Sequence, residues 1–148
     1  MEKDITYQKI ERDLGLGYYF RRIGMSVDYQ ASLIDFIKEY RNKTRERLVL
    51  FRVVVNYTDD ETLKLFIAWC IKEIIKNFNN SEPETIKVCN IIEKLVKGQG
   101  IEDVLDTTLS AAMLVAWSND WVNNREINWI DSWDIQLEQL SKMIKEFD

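Results

Sequence analysis

The side chains of this 148-residue sequence most suited to recognition form a row. Trp117, Trp121, Trp129 and Trp133 fall at four-residue steps, with Arg125 at the step between the middle pair. On a helix of 3.6 residues per turn each such step drifts by about 40°, so the row winds around its axis and cannot stay within one core. Asp120, Asp131 and Asp134 are interleaved with it and are placed to accept from indole N–H groups. The plain reading is packing, with the tryptophans wedging a long helix against its neighbours. The functional reading is an interface in which one or two of them act as anchors with the neighbouring Asp and Arg side chains, because Trp leads the residues that carry binding energy between proteins. A sugar or ring-ligand site is the minor reading.

Groups suited to catalysis are sparse. Histidine is absent, which removes the commonest general base and the commonest metal ligand. Asp59-Asp60-Glu61 and Glu102-Asp103-Asp106 read as first-turn carboxylates favoured by a helix dipole. No spacing nearby supplies further ligands for a cation. Cys70 and Cys89 occupy apolar seam positions, where an inert thiol is the ordinary outcome and a nucleophile would want a histidine. Two cysteines in such a chain fit a reducing, cytoplasmic setting. Gly15-Leu16-Gly17 and Gly98-Gln99-Gly100 follow no strand and read as helix punctuation rather than phosphate loops. The expectation is therefore a protein that is not an enzyme, with no catalytic residue, no metal site and no cofactor.

A second candidate surface joins Tyr18, Tyr19, Phe20, Arg21 and Arg22 to the basic stretch from Arg41 to Arg52. Basic surfaces with interleaved aromatics can bind nucleic acid. Residues 1–55 hold 11 Lys and Arg against 8 Asp and Glu, while residues 56–148 hold 9 against 17, so the net charge of −5 divides into +3 and −8. The acidic part opposes a nucleic-acid footprint of any size and steers basic partners instead. A helix-turn-helix within residues 4–40 lacks an evident recognition helix, and a simple solvated face is the plainer reading of this surface.

The elements that must hold these side chains are helices. One proline and five glycines are few, and a 46% hydrophobic composition supplies a full core. The periodicity places a helix over residues 4–14 (Tyr7, Ile10, Leu14), ended by Gly15-Leu16-Gly17, and an aromatic and basic connector over residues 18–22. A second helix is capped by Ser26 and buries Tyr29, Leu33, Phe36, Ile37 and Tyr40. Residues 48–55 are rich in β-branched side chains, but no second strand candidate exists to pair with them, so they are read as helix. Thr58…Glu61 is a capping box opening a helix to about Asn79 that buries Leu63, Ile67, Cys70, Ile74 and Phe78. Ser81-Glu82-Pro83-Glu84 opens another, burying Val88, Ile91, Ile92 and Leu95 and ending at Gly98. Then Ile101, Val104, Leu105, Leu109, Ala112, Met113 and Ala116 make one face, and Ile130, Trp133, Leu137, Leu140, Ile144 and Phe147 make another. A bend or break falls at Asn123-Asn124. The fold class read from this is all-α: an antiparallel helical bundle or short helical array ending in a long helix or helix pair. The two seams can pair within the chain or across a homodimer. No apolar run is long enough for a membrane span.

From about Leu48 onward the order of motifs resembles the alanine-rich helical immunity-like proteins of bacteria and phages. The stretches that carry the resemblance are Val54-Val55-Asn56-Tyr57-Thr58-Asp59-Asp60-Glu61-Thr62-Leu63-Lys64-Leu65-Phe66, Ala68-Trp69-Cys70, and the segment from Pro83 to Lys97-Gly98. Ile101-Glu102-Asp103-Val104-Leu105-Asp106 and Trp133-Asp134-Ile135-Gln136-Leu137-Glu138 complete them. Two features depart from that pattern: Asn, Trp and Ile replace an Ala- and Arg-rich middle, and residues 1–47 have no counterpart. The division implied is an N-terminal helical region, 1–47, and an immunity-like region, 48–148. The resemblance implies inhibitor-like binding. Its expected target is another protein, such as a basic nuclease or defence effector blocked stoichiometrically, in the manner of an immunity protein or a phage anti-CRISPR. The alternative is a nucleic-acid-binding regulator using the N-terminal third.

Overall fold

A computed structural model of the chain describes residues 4–78, 90, 104–122 and 129–147, with the side chains of residues 75, 78, 119–122, 129–130 and 146–147 excepted. The described residues are mostly helical, as an all-α chain should be. They divide into two compact units, Met1–Tyr57 and Thr58–Asp148. The sequence-derived boundary after residue 47 falls inside the first unit, which takes in the whole Val-rich helix.

The first unit opens with β1 (Ile5–Thr6), and α1 (Tyr7–Leu14) follows directly. The helix therefore starts later than its periodicity suggests. Thr6 is extended, and its Oγ1 accepts from the Lys9 amide at 3.1 Å as the N-cap. Residues 5 and 6 pair antiparallel with β2 (Gln30–Ala31), Ile5 opposite Ala31. Gly15, at φ 66°, ends α1 in the left-handed conformation.

Residues 18–22, expected to be a connector, form a helix with Gly17, α2 (Gly17–Arg22). The Glu11 carboxylate accepts from the Gly17 amide at 2.7 Å, and a Cβ at Gly17 would collide with that carboxylate and crowd the Tyr7 ring. Phe20 is fully buried and anchors α2 in the core. Next comes α3 (Leu33–Tyr40), which is capped by Ser32 rather than Ser26: the Ser32 Oγ accepts from the Asp35 amide at 3.1 Å, and Ser26 pairs with Asp28 instead. Leu33, Phe36, Ile37 and Tyr40 are buried as the stripe requires. Tyr29 precedes the helix and meets Tyr40 edge-on at 5.5 Å. Finally α4 (Arg47–Asn56) is a helix, as the missing strand partner indicated, with Leu50, Phe51, Val53, Val54 and Val55 all buried.

In the second unit α5 (Asp60–Phe78) packs extensively on α6 (Val104–Val122), and α7 (Trp129–Phe147) contacts both. The Asp59 carboxylate accepts from the Thr62 amide at 2.8 Å where α5 begins. Leu63, Ile67, Cys70 and Ile74 are buried on it as expected, and Trp133, Leu137, Leu140 and Ile144 are buried on α7. The expected face of α6 is corrected in part: Ala112 and Ala116 are buried as expected, but Met113 is not. Its buried side chains are Thr108, Ala111, Ala112, Val115, Ala116 and Ser118, while Met113 is 41% exposed. Small side chains let the α5 and α6 backbones approach closely, and the bulky Met113 turns outward. The expectations for Ser81–Gly98, Gly100, Cys89, Ile101 and the Asn123-Asn124 break lie outside the described residues. Among those described, no helix is long and apolar enough to cross a membrane.

Candidate interaction surfaces

The tryptophan row divides between surface and core. Trp133 on α7 is 2% exposed, whereas Trp117 on α6 is 47% exposed. Met113 lies one turn before Trp117 on the same outward side of α6. Two polar contacts fix which way α6 faces. The Ser118 Oγ is buried, donates to the Val115 carbonyl at 2.9 Å and accepts from the Asn77 Nδ2 of α5 at 2.8 Å. Gln136 on α7 donates through Nε2 to the Ala112 carbonyl at 3.1 Å. With Ala112 and Ser118 locked inward, their neighbours Met113 and Trp117 are held at the surface. Asp131 is exposed in the first turn of α7 and Asp134 is half-buried one turn on. Asp120 and Trp121 belong to α6 and Trp129 to α7, with side chains outside the described set; Arg125 lies outside the described residues.

In the first unit the helix α2 gathers Tyr18, Tyr19, Arg21 and Arg22. Tyr18 is 71% exposed, and the Arg22 guanidinium stands over its ring, 5.7 Å from the centroid. Arg21 is exposed and does not join the cleft that forms beside them. That cleft, of about 320 Å³, lies between the end of α2 and the α3–α4 loop and is lined by Tyr19, Arg22, Ile23, Lys43, Arg45 and Glu46. The loop is closed from beneath by Arg47, whose guanidinium donates to the Arg41 and Thr44 carbonyls, the latter at 2.9 Å. Phe20 meets Tyr40 edge-on at 5.7 Å, bolting α2 to the end of α3. Both walls of the cleft therefore rest on the aromatic core.

The Tyr19 hydroxyl donates to the Glu46 carboxylate. That bond, the Glu46 amide and the nearby Arg45 hold the carboxyl below its usual range, so it is ionised. Burial and the same bond push the Tyr19 phenol up. Lys43 sits 3.6 Å from Glu39 and 5.2 Å from the centroid of the Tyr40 ring. The lining thus carries three cations and one carboxylate. Lys43, Arg45 and Glu46 fall within the basic stretch from Arg41 to Arg52 that the sequence joins to Tyr18–Arg22, but neither they nor Ile23 stand out individually, because the run from Arg41 to Arg47 reads locally as a basic helix end.

The described residues offer little reactive chemistry beyond this. Cys70 is buried on α5, and burial, then the nearby Glu73, pushes its thiol well up, keeping it protonated and inert. No group of three or more His, Cys, Asp or Glu side chains stands together among the described residues. No family model matches the chain, and neither a curated protein nor a solved structure matches it.

Proposed function

We propose that the chain acts by stoichiometric binding to another protein, as an inhibitor of immunity or anti-defence type. The observation that carries this reading is the outward pair on α6, Trp117 at 47% and Met113 at 41% exposure. It stands on a helix whose opposite side is pinned by Ser118 and Ala112. A rigid aromatic anchor of this kind concentrates binding energy with little ordering cost. A tryptophan presents roughly 250 Å², so its exposed part leaves roughly 120 Å² to bury, worth about 3 kcal/mol at ~25 cal/mol per Å², or ~100-fold in affinity.

The charge supports a basic partner. Residues 58–148 hold all of the −8 excess, which accelerates encounter with a cationic surface such as the nucleic-acid channel of a nuclease. The resemblance of residues 48–148 to immunity-like proteins points the same way. The test is affinity capture from a bacterial lysate with the full chain and with its Trp117→Ala variant as paired baits. The reading expects one basic protein at near-equimolar yield on the first bait and its loss on the second. Recovery of no such protein, or equal recovery on both baits, would overturn it.

A further inference from the structure

We propose that the cleft between α2 and the α3–α4 loop is a binding site for a nucleoside monophosphate, a property independent of the protein-binding face on α6. Three cationic residues, Arg22, Lys43 and Arg45, line it from two separate elements. A cleft lined by three cationic residues and one carboxylate attracts an anion. Arginine offers a planar fork matched to phosphate oxygens, and lysine a mobile point charge beside it. Lys43 is half-exposed and its 3.6 Å contact with Glu39 is a surface pair, weak enough to be exchanged for a phosphate.

Size and the rest of the lining select the ligand class. At about 320 Å³ the cleft has room for roughly ten waters and falls at the lower end of small-molecule sites. Inorganic phosphate alone would leave most of it wet. Ile23 and Tyr19 are the lining residues that bring apolar carbon against which a base can pack. Glu46 is held ionised by the Tyr19 hydroxyl; it repels phosphate but has acceptor positions to spare for a sugar hydroxyl. Phosphate, hydroxyls and a flat ring on one small molecule match the three kinds of lining. Arg47 holds the Arg41 and Thr44 carbonyls and so braces the loop that carries Lys43 and Arg45.

The same phosphate–ribose–base chemistry also occurs at the 5′ end of a nucleic-acid strand, so the experiment separates the two sources. The full chain is titrated by calorimetry with adenosine 5′-monophosphate, with inorganic phosphate, and with a 5′-phosphorylated single-stranded oligonucleotide. The proposal expects saturable binding of the mononucleotide, at least tenfold tighter than inorganic phosphate and weakening as salt rises. It expects a loss of at least tenfold in Arg22→Gln and again in Lys43→Gln. Both positions are exposed, and unchanged circular dichroism would show that the variants fold. It would be overturned by no binding at millimolar mononucleotide, by equal affinity for inorganic phosphate, by indifference to both substitutions, or by an oligonucleotide binding more than tenfold tighter than the mononucleotide.

Discussion

Replacing Gln136 with methionine should stabilise the second unit, contrary to the usual effect of altering a buried hydrogen-bonding side chain. Gln136 is fully buried on α7. Its Nε2 donates to the Ala112 carbonyl at 3.1 Å and lies 3.4 Å from the Ser132 Oγ, while its Oε1 is buried and meets no donor among the described residues. Met keeps the unbranched shape and removes both polar atoms. The lost hydrogen bond costs about 1 kcal/mol. The Ala112 carbonyl keeps its place in the helical ladder of α6, so it is not orphaned. Removing a buried, unsatisfied oxygen returns ~1–3 kcal/mol, and the thioether buries additional apolar surface. The net expectation is a gain of about 1 kcal/mol. All five tryptophans lie within residues 58–148, so indole fluorescence during urea unfolding reports this unit alone. A higher midpoint at unchanged slope is expected. A loss of more than about 1 kcal/mol would show that the amide is fully satisfied and that the polar seam is wrongly described.

Three further outcomes follow from the geometry. Gly17→Ala drives a Cβ against the Glu11 carboxylate and the Tyr7 ring, so it should destabilise the first unit by ~1–3 kcal/mol, read as faster hydrogen exchange over residues 7–22. Asp13 is held below the usual carboxylate range, first by Arg12 and then by the Tyr57 hydroxyl at 2.8 Å; a depressed carboxyl stabilises above its unfolded pKa and loses that contribution as pH falls through the folded value. Tyr57→Phe should therefore cost up to about 1 kcal/mol near neutrality, solvent screening keeping it small, and progressively less as pH falls below the ordinary carboxylate range, compared by urea unfolding followed by far-ultraviolet dichroism across that range. In a Cys89→Ser background, Cys70 should react with iodoacetamide roughly a thousandfold more slowly in the native chain than in urea; comparable rates would contradict its burial.

The parts of the fold legible in the sequence are those decided within one element. The stripe of Leu33, Phe36, Ile37 and Tyr40 and the seam of Trp133, Leu137, Leu140 and Ile144 repeat with helical spacing, and both are buried. The Val-rich helix followed from the lack of a strand to pair with it. What escaped depends on distant contacts. Ser26 and Ser32 are equally good caps, and the choice falls to Ser32 because residues 30–31 are held extended by pairing with residues 5–6. The six residues of α2 are too few for a periodic signal, and Phe20 and the Glu11 carboxylate hold them. On α6 the apolar residues outnumber one face, so periodicity could not tell that Ala111 and Val115 turn inward and Met113 outward. The cleft joins Arg22 to Lys43 and Arg45 across a long stretch of intervening chain, a proximity held by the Phe20–Tyr40 contact, the Tyr19–Glu46 hydrogen bond and the Arg47 clasp.

The most direct measurement is calorimetric titration of the captured partner with the full chain and with Trp117→Ala. One-to-one binding weakened ~100-fold by the substitution is expected, with the urea midpoint of the free chain nearly unchanged. Affinities within threefold of each other, at the same stoichiometry, would show that the exposed face of α6 does not carry the binding.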